Sequence, residues 1–237
     1  MKKQLSFFKK PDSVLNFYSE YGYHIEYGVI SDDVCDEIQL LAHQLACAKS
    51  GNFAPVMMPH RENEQFLHYM KNPQITAIMS ALLAGNIAGL QSQFFFMKPG
   101  TRGFTPHQDN HFVQARHGAF ASAWLALEDT CQENGGLVVY PGTHKMGTLP
   151  VVETNLKSLS AQDPNAYRTE VSLPVEVNPI HVSVPKGAVL FIHGDVVHAS
   201  NTNASKDRWR HVLLNTYILQ GEAFRPGRDA KRVEISL

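Results

Sequence analysis

The sequence predicts a mainly β protein, a sandwich or barrel braced by helices gathered at its N-terminal end. Two observations carry this. The first 85 or so residues show apolar spacings of the helical kind, bounded by capping and stop residues. From Ile87 onward the apolar residues come instead in short runs closed by Pro-Gly, Asn-Gly or Gly-Gly pairs, the cadence of strands and tight turns.

Taken in order, Pro11-Asp12-Ser13 opens a short helix that Gly22 stops after Tyr21. Residues 23–27 follow as a brief strand. Ser31 is a good N-cap, with Asp32 and Asp33 as first-turn acids that suit the positive end of a helix. Val34, Ile38, Leu41 and Leu45 then recur at helical spacing, predicting one helix that continues to Gly51. Another begins at Asn72-Pro73 and stops at Gly85, enclosing Ile75, Ile78, Met79, Leu82 and Leu83. His43 and His68 lie in this region and read as packing or surface residues. Strands are expected over 91–97, 119–127 and 137–140, with Phe94-Phe95-Phe96 in the core and Asn134-Gly135-Gly136 as a turn. Residues 142–178 show no period and are rich in Ser, Thr, Asn and Pro, so they read as a lid or as a decorated surface loop. Strands resume over 180–184, 188–192, 196–200 and 210–219. The end of the chain, with Arg225, Arg228, Lys231 and Arg232, reads as a solvated tail.

The bulk numbers narrow the function. At 237 residues the whole chain fits one domain, with 1–85 as helical support and 86–220 as the β core. A net charge of −1 and an isoelectric point near 6.9 argue against nucleic acid or an anionic membrane as partner. No apolar run approaches the roughly 18 residues of a spanning helix. The basic start, Met1 to Lys10, lacks the apolar stretch of a secretion signal. Cys35, Cys47 and Cys131 are an odd set without a Cys-x-x-Cys pair, which fits a reducing cytoplasm.

The chemistry is concentrated in Thr105-Pro106-His107-Gln108-Asp109. Residues two apart on a strand share a face, so His107 and Asp109 can aim an imidazole and a carboxylate at one point. A third ligand would complete a two-His, one-carboxylate face with open positions opposite, an arrangement suited to ferrous iron in oxygen-activating enzymes. The spacing is not unique, because His193-Gly194-Asp195 also fits it. There, however, Gly194 breaks the alternation at the end of an apolar strand, so the pair reads as turn chemistry that could support a neighbouring site. His198 stands 89 positions beyond Asp109, enough chain to return from the far side of a barrel. His111 and His117 are rivals nearer the first pair; His111 falls on the same expected face and would line the pocket.

Several blocks resemble the phytanoyl-CoA dioxygenase family of Fe(II)/2-oxoglutarate oxygenases. They are Phe96-Met97-Lys98-Pro99-Gly100, Thr105 through Asn110, Trp124 with Glu133-Asn134-Gly135-Gly136-Leu137, and Pro141-Gly142-Thr143-His144. His198-Ala199-Ser200 with Asn203, and Asp207-Arg208-Trp209-Arg210, complete the set. The resemblance implies a double-stranded β-helix, or jelly-roll, core with the N-terminal helices packed outside. It implies iron held by His107, Asp109 and His198, with 2-oxoglutarate and dioxygen as cosubstrates. It further implies that an Arg after the distal His grips the cosubstrate's far carboxylate, a job for a planar fork of donors. Arg208 and Arg210 both qualify, and the family's Asp-Arg-x-Arg pattern favours Arg210. Ser200 would donate to the same carboxylate, and Gln93 and Trp124 would wall the pocket. Where the family often has Gly after the distal His, this chain has Ala199.

Asp109 argues for hydroxylation, since halogenating relatives replace that carboxylate with a small residue. The chain is short for the family and shows no basic cluster or phosphate-gripping loop for an acyl-CoA. A small soluble metabolite is therefore the expected substrate. The alternatives are a cupin-like metalloenzyme that does not use 2-oxoglutarate, and a non-catalytic binding protein on the same fold.

Overall fold

The runs 94–96, 189–192 and 212–214 are apolar at every position, which a sheet accommodates only when both of its faces are covered. The protein, seen in a computed structural model that describes residues 5–154, 169–174 and 176–237, covers them both. In chain order the elements are α1 (Pro11–Tyr21), β1 (Tyr23–Glu26), α2 (Asp32–Ala42), α3 (Ala46–Lys49), β2 (Val56–Met57), α4 (Gln65–Met70) and α5 (Pro73–Leu82). Then come β3 (Ile87–Met97), α6 (Asn110–Val113), β4 (Phe120–Ala126), β5 (Leu137–Tyr140), β6 (Val151–Glu153) and β7 (Thr169–Val171). The last four are β8 (Ile180–His181), β9 (Val189–His193), β10 (Val197–Ser200) and β11 (Arg210–Leu219).

Among the described residues the larger sheet runs β1-β9-β4-β11-β3-β2, and the smaller runs β10-β5-β8. All neighbours are antiparallel. The two sheets face each other as a jelly roll without closing into a barrel. Between them pack Phe95, Trp124, Leu190, Ile192, Val212 and Leu214 from the larger sheet against Leu137 and Val139 from the smaller. The alternate residues Phe94, Phe96, Val189, Phe191 and Leu213 point the other way, into the helices, where they meet Ile38, Phe66, Ile75 and Ile78. The period-two alternation of the strands is thus intact but apolar on both faces.

The helix signals act as expected at α1 and α5. Gly22 takes a left-handed conformation (φ 81°) and its amide closes α1 on the Tyr18 carbonyl at 2.7 Å. The Asn72 Oδ1 accepts from the amides of Gln74 and Ile75 at 3.0 and 3.2 Å. Elsewhere the structure differs. The stripe Val34 to Leu45 is split, because Leu45 is extended (φ −64°, ψ 149°) between α2 and α3, yet Leu45 still reaches the core. Ser31 occupies the capping position with extended dihedrals, but its side chain makes no capping bond.

Within 142–178 two short strands, β6 and β7, pair antiparallel; residues 155–168 and 175, the middle of the expected lid or surface loop, lie outside the described residues. The tail is not solvated throughout. Ile235 exchanges both backbone hydrogen bonds with Gly89, and buried Arg232 donates to the Gln91 Oε1 at 2.6 Å and to the Phe112 carbonyl. No described helix is long and apolar enough to cross a membrane.

Candidate metal centre

The centre begins with a close approach of two chain segments. At Gly103 an added Cβ would sit 1.9 Å from the Ser200 carbonyl oxygen, so only glycine lets residues 103–107 run alongside β10. From there the segments pair. The Phe104 amide donates to the Ser200 Oγ at 2.8 Å, and His107 and His198 exchange both backbone hydrogen bonds at 2.9 and 3.0 Å. The two imidazoles therefore stand side by side, 4.3 Å between ring centres. His198 does not return from the far side of a barrel; it is the directly opposed residue on the neighbouring segment.

Asp109 reaches the same point by a different route from the strand alternation expected for it. The chain turns after His107, and Asp109 has helical dihedrals (φ −59°, ψ −37°) immediately ahead of α6. Its Oδ1 lies 3.7 Å from the Nε2 of His107 and 3.7 Å from the Nε2 of His198. One ligand atom from each of the three residues lies within 4.8 Å of the others.

The surroundings set the protonation these side chains need to bind a cation. The Nδ1 of His107 contacts the Thr105 carbonyl at 2.7 Å and that of His198 the Val196 carbonyl at 3.1 Å. A carbonyl can only accept, so each ring carries its proton on Nδ1 and presents the Nε2 lone pair toward Asp109. Burial and the neighbouring His198 push the His107 imidazole down to about 4, against the pull of Asp109, so it is neutral at pH 7. The Asp109 Oδ2 accepts from the Ser122 Oγ at 2.7 Å, which leaves Oδ1 as the inward oxygen. Two imidazole nitrogens and one carboxylate oxygen suit a divalent first-row metal such as Fe(II).

Residues beside the ligands hold the turn in place. Gln108 is fully buried; its amide donates to the carbonyls of Gly147 and Asp195 at 2.8 and 2.6 Å, and its Oε1 accepts from the Leu149 amide at 2.7 Å. Asn110 donates to the Asp195 Oδ1 at 2.9 Å and caps Ala115 through both of its side-chain atoms. Sequence reasoning gave these residues no separate role, nor did it single out Ser122. A signal for Ser122 was available, because it stands two positions before Trp124 and so shares its face of the strand.

His107, Asp109 and His198 line a cavity with about 530 Å³ of empty space, its mouth included. Gln93, Ser200 and Arg210 add its other polar groups, and Phe95, Phe104, Trp124, Leu137, Ile192 and Leu214 its apolar wall. Arg210 is 2% exposed, lies with its guanidinium carbon 5.5 Å from the centre of the Trp124 ring, and donates from Nη1 to the Gly135 carbonyl. That carbonyl is presented by a turn built on Asn134, whose Oδ1 accepts from the Cys131 amide at 2.8 Å. Arg208 instead points outward, pairing with Glu133 at 3.5 Å and donating to the Asp129 carbonyl at 2.8 Å. His111 does not line the cavity; it is on α6, its ring packed edge-on against Phe112. His117 joins His193 and Asp195 in a separate cluster.

A jelly roll with two imidazoles and a carboxylate facing an inter-sheet cavity defines a class of mononuclear metal proteins. The comparisons narrow that class. A family model described as phytanoyl-CoA dioxygenase (PhyH) matches residues 18–212, and the chain belongs to this family. It is 35% identical over 170 residues to phytanoyl-CoA dioxygenase domain-containing protein 1 of Danio rerio, an alignment covering 69% of this chain and 55% of that protein. It is 28% identical over 209 residues to phytanoyl-CoA dioxygenase 1 of Oryza sativa subsp. japonica, covering 87% of this chain and 66% of the relative. The chain thus spans less than two thirds of the length of either. Among solved structures, the non-heme alpha ketoglutarate dependent carbocyclase SnoK from nogalamycin biosynthesis aligns with a TM-score of 0.73 at 20% identity, covering 92% of this chain and 88% of that one. EvdO2 from Micromonospora carbonacea var. aurantiaca, complexed with 2-oxoglutarate, aligns with a TM-score of 0.73 at 13% identity, covering 93% and 95%. At such identities the likeness is one of fold.

Proposed function

We propose that this chain is an Fe(II)- and 2-oxoglutarate-dependent oxygenase that hydroxylates a C–H bond of a small metabolite. The observation that carries the reading is the convergence of His107, Asp109 and His198 on one wall of a cavity that buried Arg210 also lines. With ferrous iron, 2-oxoglutarate and dioxygen bound, such a centre oxidises substrate C–H to C–OH and releases succinate and CO2.

The chain's own groups supply position and charge. His107, Asp109 and His198 hold the metal on one face and leave the opposite positions to the cavity. The carboxylate's −1, a divalent cation and the Arg210 charge sum to +2, which the dianion 2-oxoglutarate neutralises. Arg210 offers its planar donors to the distal carboxylate, already oriented by Trp124 and the Gly135 carbonyl. Ser200 accepts from the Phe104 amide, and its hydroxyl proton remains to be donated to the same carboxylate. Gln93 and Trp124 flank that site, while Phe95, Phe104, Leu137 and Leu214 keep water from the reacting atoms.

The test is anaerobic titration of the protein with Fe(II) and 2-oxoglutarate, followed by admission of oxygen and measurement of succinate. The native chain shows a metal-to-cosubstrate charge-transfer band and releases succinate; Asp109→Ala shows neither. An unchanged band and full turnover in Asp109→Ala would overturn the ligand assignment. Metal-dependent activity that ignores 2-oxoglutarate would replace this reading with a metalloenzyme of another kind.

A further inference from the structure

Among the described residues a second group of metal-ligating side chains lies outside the cavity: His117, His193 and Asp195, one ligand atom of each within 4.8 Å of the others. The Asp195 carboxylate is 1% exposed. Its Oδ1 is occupied by the Asn110 amide, which fixes the carboxyl plane and turns Oδ2 toward the two imidazoles. The His117 Nδ1 stands 2.7 Å from that Oδ2, and the His193 Nδ1 stands 4.0 Å from it. A tetrahedral zinc ion with bonds near 2.0–2.1 Å separates its ligand atoms by roughly 3.3–3.5 Å, between these two values.

Two unpaired polar groups lie beside the cluster. The Nδ1 of His144 and the hydroxyl of Tyr18 are buried and have no hydrogen-bond partner among the described residues, an arrangement that costs free energy unless something else satisfies them. Both residues border the cluster. The His144 ring lies 4.8 Å and the Tyr18 ring 5.9 Å from the ring of His193. The other His144 nitrogen, Nε2, is already engaged with the Ser19 carbonyl at 3.0 Å, which makes Nδ1 the lone-pair side. The His193 ring is buried beside that of His144. Its Nδ1 now accepts the Asp195 amide at 3.1 Å, a contact a metal would take over. His117, its side chain 58% exposed, offers the way in from solvent.

We propose that His117, His193 and Asp195 form a second divalent-cation site of the nitrogen-rich kind that zinc prefers, with solvent as the fourth ligand. Binding replaces the hydrogen bond between the His117 Nδ1 and Asp195, and the His117 ring then carries its proton on the exposed Nε2. The ion stands behind the oxygenase-type centre, because Asp195 is hydrogen-bonded to Asn110, the residue that follows Asp109. It is a structural site and carries no chemistry on substrate.

The experiment is titration of metal-free protein with Co(II), read by its visible absorption, which is intense for four-coordinate ions and weak for six-coordinate ones. Native protein is expected to bind two equivalents, one with intense bands that Zn(II) displaces. His117→Ala, at an exposed position, keeps one equivalent and loses the intense bands, with the second event weakened at least roughly 100-fold. His198→Ala keeps the intense bands and loses the other event. Binding of one equivalent only, or intense bands that survive His117→Ala, would overturn the proposal. The two variants address different sites, so failure here and failure of the oxygenase reading are separately visible. Asp195→Asn, if it folds, must behave as His117→Ala; Zn(II) must also raise the Tm of His198→Ala but not of His117→Ala/His198→Ala.

Discussion

Replacing Arg210 with lysine keeps a positive charge in the cavity and removes the planar fork. The side chain is 2% exposed and stands over Trp124, so the substituted ammonium has little room to recruit water in place of the lost donors. A bidentate guanidinium–carboxylate pair then becomes a single ammonium contact. One charge-assisted hydrogen bond is worth ~1.5–3 kcal/mol, which corresponds to about a 10- to 150-fold rise in the 2-oxoglutarate concentration needed for half-maximal rate. The stacking on Trp124 does not enter this figure, because it is present before the cosubstrate binds. The assay is succinate release against 2-oxoglutarate concentration at saturating iron, with anaerobic iron affinity measured beside it and expected to stay constant. Arg208→Ala is the control: that residue is paired with Glu133 at the surface, so its half-saturation stays within about two-fold. A cosubstrate dependence that ignores Arg210→Lys and responds to Arg208→Ala would refute the assignment.

Ser122→Ala removes the hydroxyl that engages the outer oxygen of Asp109 and is expected to weaken iron binding roughly 10- to 100-fold; tight binding by a variant with native circular dichroism would remove Ser122 from the account. Tyr217→Phe leaves the Met70 carbonyl without its 2.7 Å donor in a buried setting, and urea denaturation should show a loss of about 1–3 kcal/mol with an unchanged m-value. His24 is 2% exposed and held below the ordinary imidazole range chiefly by burial, with Glu26 pulling the other way. Because the unfolded chain binds that proton more readily, stability is unaffected above the unfolded pKa near 6.5, falls as pH drops below it, and levels off beneath the lowered folded pKa. His24→Gln should flatten that slope in a plot of urea midpoint against pH, and an identical slope would assign the acid sensitivity elsewhere.

The sequence disclosed some features and concealed others for identifiable reasons. Capped helices such as α5 and strands such as β5 were legible because their signals are local: Asn72 before Pro73, Gly135-Gly136 before Leu137. The break between α2 and α3 was not, because Leu45 keeps its place in the apolar stripe while leaving the helix. The buried Arg232 read as solvent-exposed since charge alone does not reveal a partner such as Gln91, 141 residues away in the chain. At the candidate metal centre the sequence could single out His107, Asp109 and His198, which the structure brings together, but not the geometry by which they meet. Alternation along a strand was the wrong device for Asp109, which arrives through a turn braced by Gln108 and Asn110. The choice between Arg208 and Arg210 likewise needed coordinates, since only the direction of each side chain separates a cavity wall from a surface ion pair.

The backbone rung that joins His107 to His198 has a consequence for how such proteins can diversify. Their separation is set across the rung, by two peptide groups, and owes nothing to the length of the ninety or so residues strung between them. Loops in that interval can lengthen, shorten or be exchanged wholesale while the gap between the two nitrogens stays fixed. New appetites for substrate can therefore be tried on at the rim without re-inventing the hearth beneath it.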